Sequence, residues 1–414
     1  MNAYIITIGN ELLNGNTLDT NSSWIGRKLD EFNIDILGKI TIPDNINEIG
    51  ETIKLILEKE IDYVFVTGGL GPTHDDLTKN AIKNILQSDE YFDNEYYEKL
   101  KLRFKKHDIE MSEKNKEQAI LLKKTKPIYN PLGTALGIEF VFNNSRVFVM
   151  PGVPKEMQAM MCEVVMPEYF LENKNNKNNI TILTAGMPES VIADKINDLI
   201  NEYSREVKVA FLPKYSGVNI RLSLIEQSQN KILDEIKIKI VERLGLNIYG
   251  YDNDKLEDIV GKYLSKNNLT LSVAESCTGG LLSKKITNSS GSSKYFIGSI
   301  VAYSNQIKEK QINISKKLLK NYGAVSKEVV ESMALEIKKE FSSDIGFAIS
   351  GISGPGGGSL DKPVGLVHMA LAFKKEVYHK KFNFIPKRDI HREISAQVAL
   401  NIIRIYLLKN HNEF

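Results

Sequence analysis

Leu271-Ser272-Val273-Ala274-Glu275-Ser276-Cys277-Thr278-Gly279-Gly280-Leu281-Leu282 reads as an apolar strand running straight into a serine and then into a glycine-opened helix. The apolar stretch 269–274 is the strand, so this part of the chain is α/β. A serine at such a turn can be a nucleophile. Backbone N–H groups around Thr278, Gly279 and Gly280 would then face an oxyanion formed beside it. Downstream, Gly298-Ser299-Ile300-Val301-Ala302-Tyr303-Ser304-Asn305-Gln306-Ile307-Lys308 supplies a second strand whose far end offers a phenol and an amine. A third strand, 345–350, ends in Ser350-Gly351-Ile352-Ser353-Gly354-Pro355-Gly356-Gly357-Gly358, whose bare amides suit a phosphate. Three loops therefore converge on one site.

The geometry suits acyl transfer, and the serine then needs a base. None of the six histidines stands in a recognisable serine-triad signature, which leaves Lys308. Its amine would have to fall from about 10.4 to near neutrality, at a cost of about 4 kcal/mol, which burial or a second cation must supply. Tyr303 can relay the proton or orient the hydroxyl. Arg388 and Arg392, four apart at the start of the last helix, can meet a phosphate from one face. Blander readings stand beside these: a serine before a helix is commonly an N-cap, Cys277 reads as a small buried residue, and an isolated lysine is usually on the surface.

At 414 residues the chain is too long for one hydrophobic core, so two to four domains are expected. Hydrophobic content of 42% and charged content of 26% are those of ordinary globular protein. A net charge of +2 without a long basic block gives direct nucleic-acid binding no electrostatic basis. Two cysteines, Cys162 and Cys277, are too few for a disulfide scaffold or structural zinc and fit a reducing cytoplasm. The start of the chain lacks a secretory leader, and no apolar run reaches the membrane-spanning length of about 18 residues. A cytoplasmic protein without membrane partners is expected.

From the first residue, strand and helix patterns alternate: 4–8 β, 22–32 helical, 34–42 β, 46–58 helical, 63–67 β. That order predicts a mostly parallel three-layer sheet with helices on both sides. Ligands of such sheets bind beyond the carboxyl ends of the strands. Gly9, Asn10 and Glu11 follow the first strand, with Asp19 and Asn21 opening the next helix. Thr67, Gly68, Gly69, Gly71, Thr73, Asp75 and Asp76 follow the third, and Gly133, Pro151, Gly152 and Glu156 lie in two further turn-rich loops. Glycines let backbone approach an anion, while Asp75 and Asp76 would repel it unless a divalent cation intervenes. A metal-bridged pyrophosphate resolves that conflict, although Asp76 can equally cap the helix 77–86. The domains expected are 1–170, then 171–252, then 253–414. The polar segment 172–179 is the linker, and the middle module is a small α+β βαββαβ unit. Its Ala185-Gly186-Met187-Pro188 lacks the second glycine of a nucleic-acid-clamping GxxG loop, so it reads as a spacer or dimerisation piece. A homodimer is expected on that basis.

Residues 272–282, 298–305, 323–326 and 348–358 resemble the C-terminal domain of the competence/damage-inducible CinA family, which is similar to stand-alone nicotinamide-nucleotide amidases. The resemblance implies hydrolysis of nicotinamide mononucleotide to nicotinic acid mononucleotide and ammonia without a cofactor. The family's serine falls on Ser276, its tyrosine on Tyr303 and its lysine on Lys308. Glu275, Thr278, Gly279, Gly280, Ser350, Gly351, Gly354, Gly356, Gly357, Arg388 and Arg392 are assigned to the substrate. Residues 9–21, 67–78 and 151–157 look like the molybdopterin-binding domain that molybdenum-cofactor enzymes share with CinA, and the middle module is similar to a KH-type fold. For the first domain the resemblance implies cleavage of ADP-ribose into AMP and ribose 5-phosphate with a divalent cation, Mg or Co, held by Asp75 and Asp76. Leu136 stands where a proline is common in that family. Two alternatives stay open: a first domain that binds a pterin or nucleotide without chemistry, and a competence-related interaction partner.

Overall fold

The computed structural model describes residues 1–71, 77–106, 108–170, 178–215, 217–225 and 230–410. Thr73, Asp75 and Asp76 therefore lie outside the described residues, as does most of the expected linker. Two compact units result, 1–177 and 178–414.

In the first unit, Asn2–Ile8, Asp35–Ile42, Tyr63–Thr67 and Ser145–Met150 pair in parallel, and Gly137–Phe142 and Lys126–Ile128 extend the sheet antiparallel. Strand side chains alternate between faces. Accordingly Val64, Val66, Val147 and Val149 pack on one side against Ile49 and Ile53 of helix Ile46–Leu57 and Ile82 of helix Thr78–Leu86. Phe65, Phe148 and Met150 pack on the other, against Ile25 and Leu29 of helix Thr20–Asp30 and Met157 and Met160 of helix Pro154–Met160. Apolar residues three or four apart on each helix supply the matching stripe. The two cores make the three layers.

The second unit holds two sheets. Asn179–Thr184, Val207–Lys214, Gly217–Leu224 and Ile248–Tyr251 form an antiparallel sheet covered by helices Glu189–Glu202 and Asn230–Leu244. Arg404 is buried in the closing helix Arg388–Asn410 and donates to the carbonyls of Ile248 (2.8 Å) and Leu246 (2.5 Å), joining that helix to the end of the small sheet.

The larger sheet runs Phe296–Val301, Leu271–Glu275, Ile345–Gly351, Leu366–Phe373, Glu376–Asn383, the first three parallel and the last two antiparallel. One face carries Leu271, Val273, Phe347 and Met369 against the helices Leu256–Lys266, Leu281–Asn288 and Arg388–Asn410. The opposite face is alanine-rich, with Ala274, Ala348, Ala370 and Ala372 beneath Val330, Met333 and Ile337 of helix Lys327–Glu340. Small side chains let that helix lie close: a Cβ on Gly346 would come within 2.1 Å of the Ala334 carbonyl. Among the described residues, no helix is long and apolar enough to cross a membrane.

Candidate active site

The strand Leu271–Glu275 delivers Ser276 at its carboxyl end, where the Ser276 amide donates to the Ile349 carbonyl at 3.0 Å. The helix that follows begins only at Leu281, with Gly280 in the left-handed conformation at its N-cap. Ser276 is therefore not the helix cap.

Lys308 lies on the helix Asn305–Ile312 rather than at a strand end, as expected from the sequence, because Ser304 accepts from the Ile307 amide and starts a helix there. Only 1% of Lys308 is exposed. Its Nζ donates to the Ala302 carbonyl at 2.6 Å and the Tyr303 carbonyl at 3.2 Å, and lies 3.1 Å from Ser276 Oγ. Burial pushes its pKa down to about 8. In the neutral amine the two carbonyls engage both N–H bonds and the lone pair is left for the serine hydroxyl. Burial has the opposite sign for an acid, and the Cys277 thiol is pushed up to about 12. At neutral pH the residue after the serine is thus an uncharged thiol and a poor nucleophile.

Tyr303 is placed differently from the expected proton relay. Its carbonyl, not its phenol, meets Lys308, and the exposed phenol accepts from Arg388 at 3.1 Å. Arg388 also donates to the Gly354 carbonyl at 3.0 Å, and Arg392 to the Thr278 carbonyl at 2.7 Å. The two arginines thus reach the glycine loop and the serine loop from one helix, and among the described residues neither pairs with a carboxylate.

Two residues assigned to the substrate are committed elsewhere. Glu275 is fully buried and turns back onto the helix behind it, accepting from the amides of Gly280 (3.0 Å), Leu282 (3.1 Å) and Ser283 (2.8 Å) and from the Ser283 hydroxyl (2.5 Å). A carboxylate at a helix N-terminus satisfies donors that the helix leaves open. It also removes the Gly280 amide from the expected oxyanion cradle. Among the described residues of this turn, the amides of Cys277 and Thr278 donate to no backbone or side-chain oxygen and are directed toward the Cys277 sulfur. Ser350 spends its hydroxyl on the Ala324 carbonyl, at 2.8 Å.

Glu275→Gln presents one accepting oxygen where two are used and turns an NH₂ toward backbone donors. The unfolding free energy should fall by about 2 kcal/mol, measured by urea denaturation.

Thr278 is fully buried, its hydroxyl has no partner among the described residues, and Gly279 faces Arg392, at 3.3 Å from where its Cβ would stand. A Cβ on Gly351 would lie 3.0 Å from Cys277 Sγ. Gly354 has a φ of 79°, and Gly356 and Gly357 are exposed.

In the first unit, Asn10, Glu11, Gly68, Gly69, Gly71, Pro151, Gly152 and Glu156 do converge, lining a cavity of about 640 Å³ at the carboxyl ends of the parallel strands. Gly9, Gly133, Asp19, Asn21 and Thr67 are not among the residues that line it. Asp19 caps its helix by accepting from the Ser22 amide at 2.9 Å. Asn21 donates to Thr67 Oγ1 (2.9 Å) and the Gly152 carbonyl (2.8 Å), tying two of the loops together. A Cβ on Gly9 or Gly133 would strike the carboxylates of Glu11 or Glu156. Asp44, Asn14, Asn16 and Gln118 also line this cavity. Sequence reading missed them, although Asp44 follows the strand Asp35–Ile42 at its carboxyl end and the same rule would have found it. Among the described residues, no three His, Cys, Asp or Glu side chains are grouped to hold a metal.

Residues 253–407 match the CinA C-terminal domain, residues 4–170 a probable molybdopterin binding domain, and residues 180–250 the damage-inducible protein CinA KH domain. The chain is 38% identical over 403 residues to a CinA-like protein of Thermosipho melanesiensis, covering 97% of this chain and 98% of that one. It is 37% identical over 419 residues to a putative competence-damage inducible protein of Halothermothrix orenii, covering 98% and 99%. Among solved structures, a CinA protein of unknown function from Thermoplasma acidophilum is 33% identical across 41% of this chain and 98% of its own, with a TM-score of 0.37.

Proposed function

The chain belongs to the CinA family, and from that premise we propose that its C-terminal domain is a serine amidohydrolase deamidating nicotinamide mononucleotide, with a second hydrolytic site for ADP-ribose in its N-terminal domain. The observation that carries the first part is the buried Lys308 amine within 3.1 Å of Ser276 Oγ. Lys308 takes the serine proton as Oγ attacks the carboxamide carbon, and the oxyanion is met by the Cys277 and Thr278 amides. The ammonium so formed returns its proton to the departing nitrogen, which leaves as ammonia. Water, deprotonated by the same amine, then releases the carboxylate from the ester and restores the serine. Arg388 and the glycine loop would take the phosphate. The test is release of ammonia and nicotinic acid mononucleotide by the purified chain.

Support for the second site is the cavity rimmed by glycine loops and by Glu11, Asp44 and Glu156. Its oxygen donors suit a hard divalent cation, which commonly binds through one or two carboxylates together with substrate phosphates rather than in an all-protein cage. Asp75 and Asp76 would hold such an ion, whose contribution is neutralisation of the pyrophosphate. Glu156, fixed by Asn130 Nδ2 at 2.8 Å, and the glycine amides would orient the substrate. AMP formation from ADP-ribose should fall by at least about 100-fold on chelation and in Asp76→Ala. Tight ADP-ribose binding without AMP would instead make the domain a binding module. Cytoplasmic location and a homodimer remain part of this proposal.

A further inference from the structure

The opening turns of the helix Arg388–Asn410 send three side chains to the loops of the amidase site. Arg388 and Arg392 reach Gly354 and Thr278. Between them His391 is fully buried, and both its ring nitrogens are engaged. Nδ1 lies 2.9 Å from Ser353 Oγ, and Nε2 lies 3.1 Å from the Gly365 carbonyl oxygen. A carbonyl only accepts, so Nε2 carries a proton; burial pushes the ring's pKa down, and in the neutral ring Nδ1 accepts from the Ser353 hydroxyl. The imidazole is therefore neutral and in one tautomer.

Ser353 and Gly365 stand at the two ends of the glycine-rich loop that connects strands Ile345–Gly351 and Leu366–Phe373. Backbone bonds from Ile352 to Leu366 and from Gly365 to Ile352, each 2.8 Å, close its neck, while residues 355–361 are exposed. Glycines lose the most conformational freedom when ordered, so a loop this rich in them keeps one shape only if it is held from outside. Arg388 holds one end. We infer that His391 is a positioning residue for this loop, cross-linking its two ends through Ser353 and Gly365 so that the loop amides are preset for the phosphate of the substrate. The inference rests on the mononucleotide amidase reading for its kinetic consequence, though not for the cross-link itself.

Two readouts on the full chain separate these: amide hydrogen exchange across residues 352–365, and steady-state ammonia release from nicotinamide mononucleotide. His391→Leu should speed exchange in the loop and raise KM, each by about tenfold, with kcat changed by less than about threefold. His391→Gln, whose amide can donate to Gly365 and accept from Ser353, should restore both. Ser353→Ala removes one of the two bonds without touching the helix and should give a smaller change in the same sense. It carries the test should the leucine variant not fold. Unchanged loop exchange in both Ser353→Ala and His391→Leu, or a loss confined to kcat that glutamine does not rescue, overturns the inference. A wild-type chain that releases no ammonia defeats the amidase reading instead, and the exchange arm then still decides the cross-link.

Discussion

Ser276→Ala is expected to lower ammonia release from nicotinamide mononucleotide by at least about 1,000-fold, with the protein folded and its unfolding midpoint nearly unchanged. Loss of a nucleophile removes the covalent route as a whole, so no neighbouring group substitutes for it. The adjacent thiol is the obvious candidate substitute. It is 6% exposed and uncharged at neutral pH, its pKa being pushed up to about 12 by burial. Cys277→Ala should therefore retain activity within about tenfold, the loss reflecting packing against Gly351 rather than chemistry. Steady-state assays of the two variants side by side decide between hydroxyl and thiol. A silent Cys277→Ala beside an active Ser276→Ala would reverse the assignment.

Lys308→Met should produce a loss of similar size, about 1,000-fold, because methionine fills the buried position while removing the amine beside the hydroxyl. The pH dependence follows from the same group. With a pKa of about 8, Lys308 is charged below that pH and cannot accept the serine proton, so kcat/KM should rise tenfold per pH unit up to about 8 and level off above it. The sign is that of a base that must lose its proton. In Lys308→Met the residual rate should lose this limb. Rates measured across the range in wild type and variant check both statements.

Much of this architecture was legible from local pattern. The alternation of short apolar strands with amphipathic helices predicted the three-layer first unit, because strand faces and helix stripes have periods that sequence alone displays. The turn at Ser276 was legible for the same reason: an apolar strand, a serine and two glycines follow one another within a single short stretch. The sequence places Lys308 at a strand end, since the Ser304 cap that starts its helix looks like an ordinary loop serine until its hydroxyl meets the Ile307 amide. Glu275 read as a ligand-facing carboxylate. It caps a helix that begins six residues later, an offset outside the usual N-cap spacing. Nothing local marks the commitment of Ser350, whose partner, the Ala324 carbonyl, comes from a segment 26 residues away. His391 was indistinguishable from a core histidine, as its partners belong to a loop that returns to it from about 30 residues upstream. What escaped the sequence was long-range pairing, which carries no periodicity.

Proton transfer from Ser276 requires a neutral amine at Lys308. ¹⁵N NMR of the lysine side chains, with the Lys308 signal assigned by its disappearance in Lys308→Met, measures that property directly and without substrate. A titration midpoint near 8 is the expected result; a signal that stays protonated until the ordinary lysine value of 10.5 would contradict it.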